Sequence, residues 1–84
     1  MELRFSEKAW DDYLYWQHSD TKLLKRVNEL IKDIQRQRFS GIGKPEALKH
    51  NLKGLWSRRI SEEHRLVYAV EHKVVYILQC RYHY

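Results

Sequence analysis

The stretch Phe39-Ser40-Gly41-Ile42-Gly43-Lys44-Pro45-Glu46 separates two regions with different hydrophobic periods. Before it, Leu23, Leu24, Val27, Leu30, Ile31 and Ile34 recur at the i, i+1, i+4, i+7, i+8, i+11 spacing of an amphipathic helix. Within it, Gly41, Gly43 and Pro45 stop a helix and open a loop. After it the helical period vanishes and short alternating apolar runs replace it. A chain built this way puts its helices first and its strands second. That excludes both a helical bundle and an all-strand fold.

The flanking segments complete the outline. Leu3 and Phe5 alternate with polar neighbours as a short first strand. Ser6 is placed to cap a helix, with Glu7 in its first turn. From Ala9 to Gln17 the residues Trp10, Tyr13, Leu14 and Gln17 keep helical spacing, and the Trp10, Tyr13, Trp16 set is expected in the core. Ser19 or Asp20 begins the second helix. The short linker Gln17–Asp20 makes the two helices an antiparallel hairpin. Downstream, Ala47–His50 reads as a short strand and Asn51–Gly54 as a turn. Leu55–Ile60, His64–Val70 and Val74–Tyr82 then form an antiparallel meander. The expected class is α+β, an N-terminal strand and helical hairpin packed on one face of a mainly antiparallel sheet, in one domain over residues 1–84.

Parity sorts the side chains of the strands. The simplest assembly points Leu66, Tyr68, Val70, Tyr76, Leu78 and Cys80 at the helices and leaves Arg65, Gln79, Arg81 and His83 on the uncovered face. It requires an odd loop, Glu71-His72-Lys73, because a two-residue turn shifts one strand to the opposite face. The loop after Leu55–Ile60 can be Ser61-Glu62-Glu63 or Glu62-Glu63, so parity leaves open which of Arg58 and Arg59 joins Arg65.

Charge and cysteine usage narrow the function. The net charge is +5, and most of the surplus lies after Ile42, where 8 Lys and Arg face 4 Asp and Glu. A basic surplus gathered in one half of a small domain fits a polyanion partner, and equally a solvated surface. The single cysteine, Cys80, rules out an internal disulfide and paired-cysteine metal sites, and favours a reducing compartment. No stretch approaches the roughly 20 apolar residues of a membrane span, and the N-terminus lacks a signal-peptide core. A cytoplasmic protein with no membrane partner is expected.

The open face would carry arginines and a histidine, with Glu46 and Lys49 nearby. RNA phosphodiester cleavage needs such a set: a base for the 2′-hydroxyl proton, an acid for the departing 5′-oxygen, and fixed cations for charge on the phosphate. Histidine titrates near neutrality and suits either proton role, while arginine offers a permanently charged fork. The glycines and lysine of "GIGKPE" fall short of a phosphate-binding P-loop. The histidines are too scattered for a metal site. No metal or cofactor is expected.

The stretches SEKAWDDYLYWQ (Ser6–Gln17), RVNELIKD (Arg26–Asp33), GKPEALKHNLKGLWSRRISEEHRLVYAV (Gly43–Val70) and the terminal CRYHY resemble the YoeB toxins of the RelE/ParE superfamily, over nearly the whole chain. The resemblance implies a RelE-like, microbial-ribonuclease-like fold and a ribosome-dependent endoribonuclease that cuts mRNA in the A site of the 70S ribosome without metal or cofactor. It implies Glu46 as general base, His83 as general acid and Arg65 as the phosphate-stabilising cation. Lys49 and Arg59 are implied as supporting cations, and Tyr84 as a nucleotide-positioning residue. Parity places Tyr84 opposite His83 unless the last residues leave the strand. Arg81 joins the expected phosphate-binding group because parity puts it beside His83. The implied partners are a YefM-like antitoxin, the ribosome and mRNA, operator DNA through the antitoxin, and a second copy of the chain. The alternatives are a ParE-like toxin that poisons its target without cutting RNA, and a plain basic RNA-binding module.

Overall fold

A computed structural model describes residues 1–84. In chain order the elements are β1 (Glu2–Phe5), α1 (Glu7–Ser19), α2 (Thr21–Arg36), β2 (Glu46–Ala47), a 3₁₀ turn (His50–Leu52), β3 (Trp56–Arg59), β4 (Arg65–Glu71) and β5 (Val74–Gln79). The five strands form one sheet in the order β1-β5-β4-β3-β2. β1 runs parallel to β5, and every other pair is antiparallel. Both helices pack on one face, as the change of period predicts.

Caps set the helix ends. The Ser6 hydroxyl oxygen accepts from the Ala9 N–H at 3.0 Å, and the same hydroxyl donates to the Leu78 carbonyl at 2.9 Å, so the start of α1 is tied to β5. Asp20 closes α1 and opens α2. Its N–H donates to the Trp16 carbonyl, and its carboxylate accepts from the N–H groups of Lys22 and Leu23. The interhelical linker is therefore a single residue, shorter than the expected Gln17–Asp20. The α2 stripe buries Val27, Leu30, Ile31 and Ile34 against Leu66, Tyr68, Val75, Ile77 and Cys80.

The β4–β5 connection corrects the expected register. It is a two-residue turn, His72-Lys73, with φ of 48° and 65° and Glu71 opposite Val74. Two consecutive positive-φ residues match the twist of a tight hairpin. Val75 and Ile77, and not Tyr76 and Leu78, therefore point at the helices. An irregularity then restores the parity beyond them. Tyr68 pairs with Ile77 while Val67 pairs with Gln79, which leaves Leu78 as an extra residue. Cys80 consequently still faces the core, fully buried.

Trp10 is also corrected. Trp16 is buried, and its indole N–H donates to the Cys80 carbonyl at 2.7 Å, but Trp10 is 48% exposed. It lies flat on Tyr13 and edge-on to Phe5. β1 is the edge of the sheet, so no strand extends beneath this part of α1.

Arg58 is the largest fully buried side chain. It lies opposite Leu66 on the helix-covered face, and Arg59 lies opposite Arg65 on the other, which settles the register left open by sequence. All five guanidinium donors are used. Nη1 donates to Asp33 Oδ2 at 2.6 Å and to the Ile42 carbonyl at 3.0 Å. Nη2 donates to the carbonyls of Gln37 and Ser40 at 2.6 and 2.8 Å, and Nε to the Tyr68 hydroxyl at 3.2 Å. Tyr68 in turn donates to the Arg38 carbonyl, and Asp33 accepts the Ile42 N–H. Gly41 is required here: its φ is 113°, and a Cβ would lie 2.0 Å from Asp33 Oδ2.

The Arg58 hydrogen bond holds the Asp33 carboxyl below its ordinary value of 3.8, against the opposing effect of burial. Because the native value is the lower one, the stabilisation is present above 3.8 and is lost as pH falls through the native value. Asp33→Ala leaves a buried cation without its anion and should cost about 3–5 kcal/mol at neutral pH. In urea unfolding, that deficit relative to wild type should shrink as pH is taken below 3.8. A deficit that stays constant with pH would show that the carboxylate charge is not what Arg58 requires.

Candidate active site

The helix-free face is laid out by the strand pairing. Glu46 pairs with Ser57, Ser57 with Val67, and Val67 with Gln79, while Arg59 and Arg65 pair one step along the same face. Glu46 stands on β2, a strand of only two residues. Its place depends on the preceding loop, which is wrapped around Arg58 and closed by a hydrogen bond from the Arg59 N–H to the Gly43 carbonyl at 2.7 Å.

The last residues do not continue β5. The strand ends at Gln79, and Tyr82 takes φ of 64°. The Gln79 side-chain amide donates to the carbonyls of both Arg81 and His83 at 3.0 Å, so a residue of the open face fastens the bent tail over it. The Tyr84 hydroxyl then donates to Glu46 Oε1 at 3.1 Å. The His83 ring lies near that of Tyr84, with centroids 6.2 Å apart, and its Nε2 is 3.3 Å from the Glu62 carbonyl. Arg65 reaches the same turn. Its Nη1 donates to the carbonyls of Ser61, Glu62 and His64 at 2.6, 3.0 and 3.0 Å. Glu46, Tyr84, His83 and Arg65 thus form one chain of neighbours, through the Tyr84 hydroxyl at one end and the Glu62 carbonyl at the other.

Lys49 joins this group. With Glu46, Ala47, Leu48 and Tyr84 it lines a cleft of about 440 Å³. Arg59 is exposed, and its guanidinium makes no ion pair. Arg81 does not join. Its guanidinium carbon sits 3.4 Å from the centre of the Tyr15 ring on α1 and 4.5 Å from that of Tyr82. The expected place on the open face assumed that β5 ran to Tyr82. Because the strand stops three residues earlier, the side chain stacks at the end of α1 instead. The same early stop brings Tyr84, which parity had set apart, into contact with Glu46. Parity places Gln79 on the open face, but its grip on the tail carbonyls has no periodic signature.

A family model described as YoeB-like toxin of bacterial type II toxin–antitoxin systems matches residues 5–84. The toxin YoeB of Escherichia coli (strain K12) is 63% identical over 84 residues, covering 100% of both chains. A YoeB/ParE toxin from Agrobacterium tumefaciens superimposes with a TM-score of 0.97 at 44% identity, over 100% of both chains. A YoeB dimer from Staphylococcus aureus gives a TM-score of 0.93 at 50% identity, over 100% of this chain and 98% of that one. A chain of the heterotetrameric YoeB–YefM toxin–antitoxin complex from Staphylococcus aureus gives 0.92 at 50% identity, with the same coverage.

Cys80 is not a nucleophile. Burial pushes its thiol up to about 12, and its Sγ lies 3.6 Å from the Ala9 carbonyl, away from the open face. The native protein should therefore resist a thiol reagent such as DTNB at mildly alkaline pH and react once unfolded in guanidinium. Rapid labelling of the native state would place Cys80 at the surface and undo the assigned register of β5.

Proposed function

This chain belongs to the YoeB-like toxins of bacterial type II toxin–antitoxin systems, and on that premise we propose that it is a ribosome-dependent mRNA endoribonuclease acting in the ribosomal A site. The observation that carries the reading is the tail folded over the helix-free face, with the Tyr84 hydroxyl 3.1 Å from the Glu46 carboxylate. Residues far apart in sequence converge where a phosphodiester can lie against a base, an acid and cations.

In the proposed reaction Glu46 takes the proton of the 2′-hydroxyl. The 2′-oxygen attacks phosphorus, and the bond from phosphorus to the 5′-oxygen breaks. His83 protonates the leaving 5′-oxygen. The products are a 2′,3′-cyclic phosphate and a 5′-hydroxyl. Arg65 stabilises the charge that builds on the phosphate; its Nη1 donates to the carbonyls of Ser61, Glu62 and His64, which fixes the plane of the guanidinium and leaves the Nη2 edge for the substrate. Lys49 and Arg59 add positive charge along the same face, and Tyr84 positions the nucleotide against Glu46. Every acid, base and cation role falls to a side chain, and no metal or cofactor enters.

A net charge of +5 supports association with RNA and the ribosome. We place the protein in the cytoplasm, neutralised by a YefM-like antitoxin with which it represses its own operator, and able to pair with a second copy. The solved YoeB–YefM complex and YoeB dimer of Staphylococcus aureus support the two protein partners.

On mRNA-programmed ribosomes the wild-type protein should cut in the A site and leave naked RNA nearly untouched. His83→Gln and Glu46→Ala should each slow the cut by about 10²–10⁴-fold. Primer extension reads both. Removal of His83 and Tyr84 should leave a folded protein that does not cut. Arg65→Ala should lose cleavage and keep antitoxin binding. Wild-type rates in the Glu46 and His83 variants would overturn the site. Growth inhibition without any cleavage would favour a ParE-like, non-nuclease toxin.

A further inference from the structure

Tyr82 is the only residue after Cys80 with a positive φ, 64°, a conformation unfavourable for a bulky aromatic side chain. Something must hold it, and the structure shows what does. The Tyr82 N–H donates to His64 Nδ1 at 2.8 Å, and the Tyr82 carbonyl accepts from the Arg65 N–H at 2.9 Å. Two consecutive residues, the last of the β3–β4 turn and the first of β4, thus grip one residue of the tail from both sides. The next two residues are His83 and Tyr84.

His64 is itself well anchored. Its ring stands edge-on to Trp16, with centroids 4.7 Å apart and planes at 78°. Its carbonyl accepts from the N–H groups of Ile60 and Ser61 and from Arg65 Nη1. A backbone N–H can only donate, so Nδ1 carries no proton and the ring proton of the neutral imidazole lies on Nε2. We propose that His64 is a positioning residue for the reaction: its Nδ1 fixes the reversed conformation of Tyr82 and so aims His83 and Tyr84 over the open face. The His64 ring bonds neither Glu46 nor the Arg65 guanidinium, which takes only the His64 backbone carbonyl, and the ring acts through the tail. The catalytic part of this inference rests on the nuclease reading; the clamp on the tail does not.

Two substitutions separate packing from acceptance. His64→Phe keeps an aromatic ring against Trp16 and removes the acceptor. His64→Asn sets a carbonyl oxygen close to where Nδ1 was. In ¹⁵N-labelled wild-type protein a scalar coupling across the hydrogen bond should join the Tyr82 nitrogen to His64 Nδ1, and the Tyr82 amide should exchange slowly with solvent. In His64→Phe that amide should exchange at close to the rate of an unprotected one, with little change in the thermal midpoint. On saturating programmed ribosomes the cleavage rate should fall about 10²-fold, the cost of a small misplacement of catalytic groups, with ribosome binding unchanged. His64→Asn should restore both protection and most of the rate. Unchanged Tyr82 exchange in His64→Phe overturns the clamp whatever the enzyme does. Fast exchange with an undiminished rate overturns the positioning role. A wild-type protein that does not cut overturns the nuclease reading alone, and the clamp is then decided by the exchange.

Discussion

The buried guanidinium of Arg58 is the interaction on which the rest of the structure depends. A charge taken out of water must find partners for every donor, or the fold loses more than packing returns. Arg58 finds its partners in Asp33 at the end of α2, Tyr68 on β4, and the carbonyls of Gln37, Ser40 and Ile42. A loop without regular structure of its own is thereby given one conformation. That loop delivers the chain to β2 and Glu46. The ion pair therefore decides where an otherwise irregular segment must go.

The helices and the order of elements were legible in the sequence because their causes are local. Ser6 and Asp20 cap where hydroxyl and carboxylate caps are expected, and the Leu23–Ile34 stripe needs only its own period to declare a helix. The sheet register was less legible because two features offset each other. The tight His72-Lys73 turn and the extra residue Leu78 each invert parity, so Cys80 came out buried for the wrong reason. Trp10 defied its pattern because burial depends on what lies opposite, and the sheet ends at β1. Arg58 and Arg59 are adjacent and chemically identical. Only the pairing to Leu66 and Arg65 makes one a core residue and the other a surface cation.

The candidate site divides along the same line. Parity grouped Arg65 with His83, and the two do share the Glu62 carbonyl, but by way of a bent tail instead of a common strand. Tyr84 reaches Glu46, and Arg81 leaves for Tyr15, for one common reason: β5 stops at Gln79. The hydrogen bonds that bend the tail join side chains to backbone across wide sequence separations. Hydrophobic periodicity carries no trace of such contacts.

Two strips of backbone therefore meet at this site, and each is anchored separately. The Glu46 strip is held by a buried ion pair within the core. The His83–Tyr84 strip is held at the surface by Gln79, His64 and the Arg65 N–H, and its last residues are exposed. The first anchor opens only when the core opens. The second can open alone, because few buried apolar contacts oppose it. His83 and Tyr84 thus sit on the more easily displaced strip, and Glu46 on the one tied to the core. That asymmetry follows from where the chain spends its buried charge.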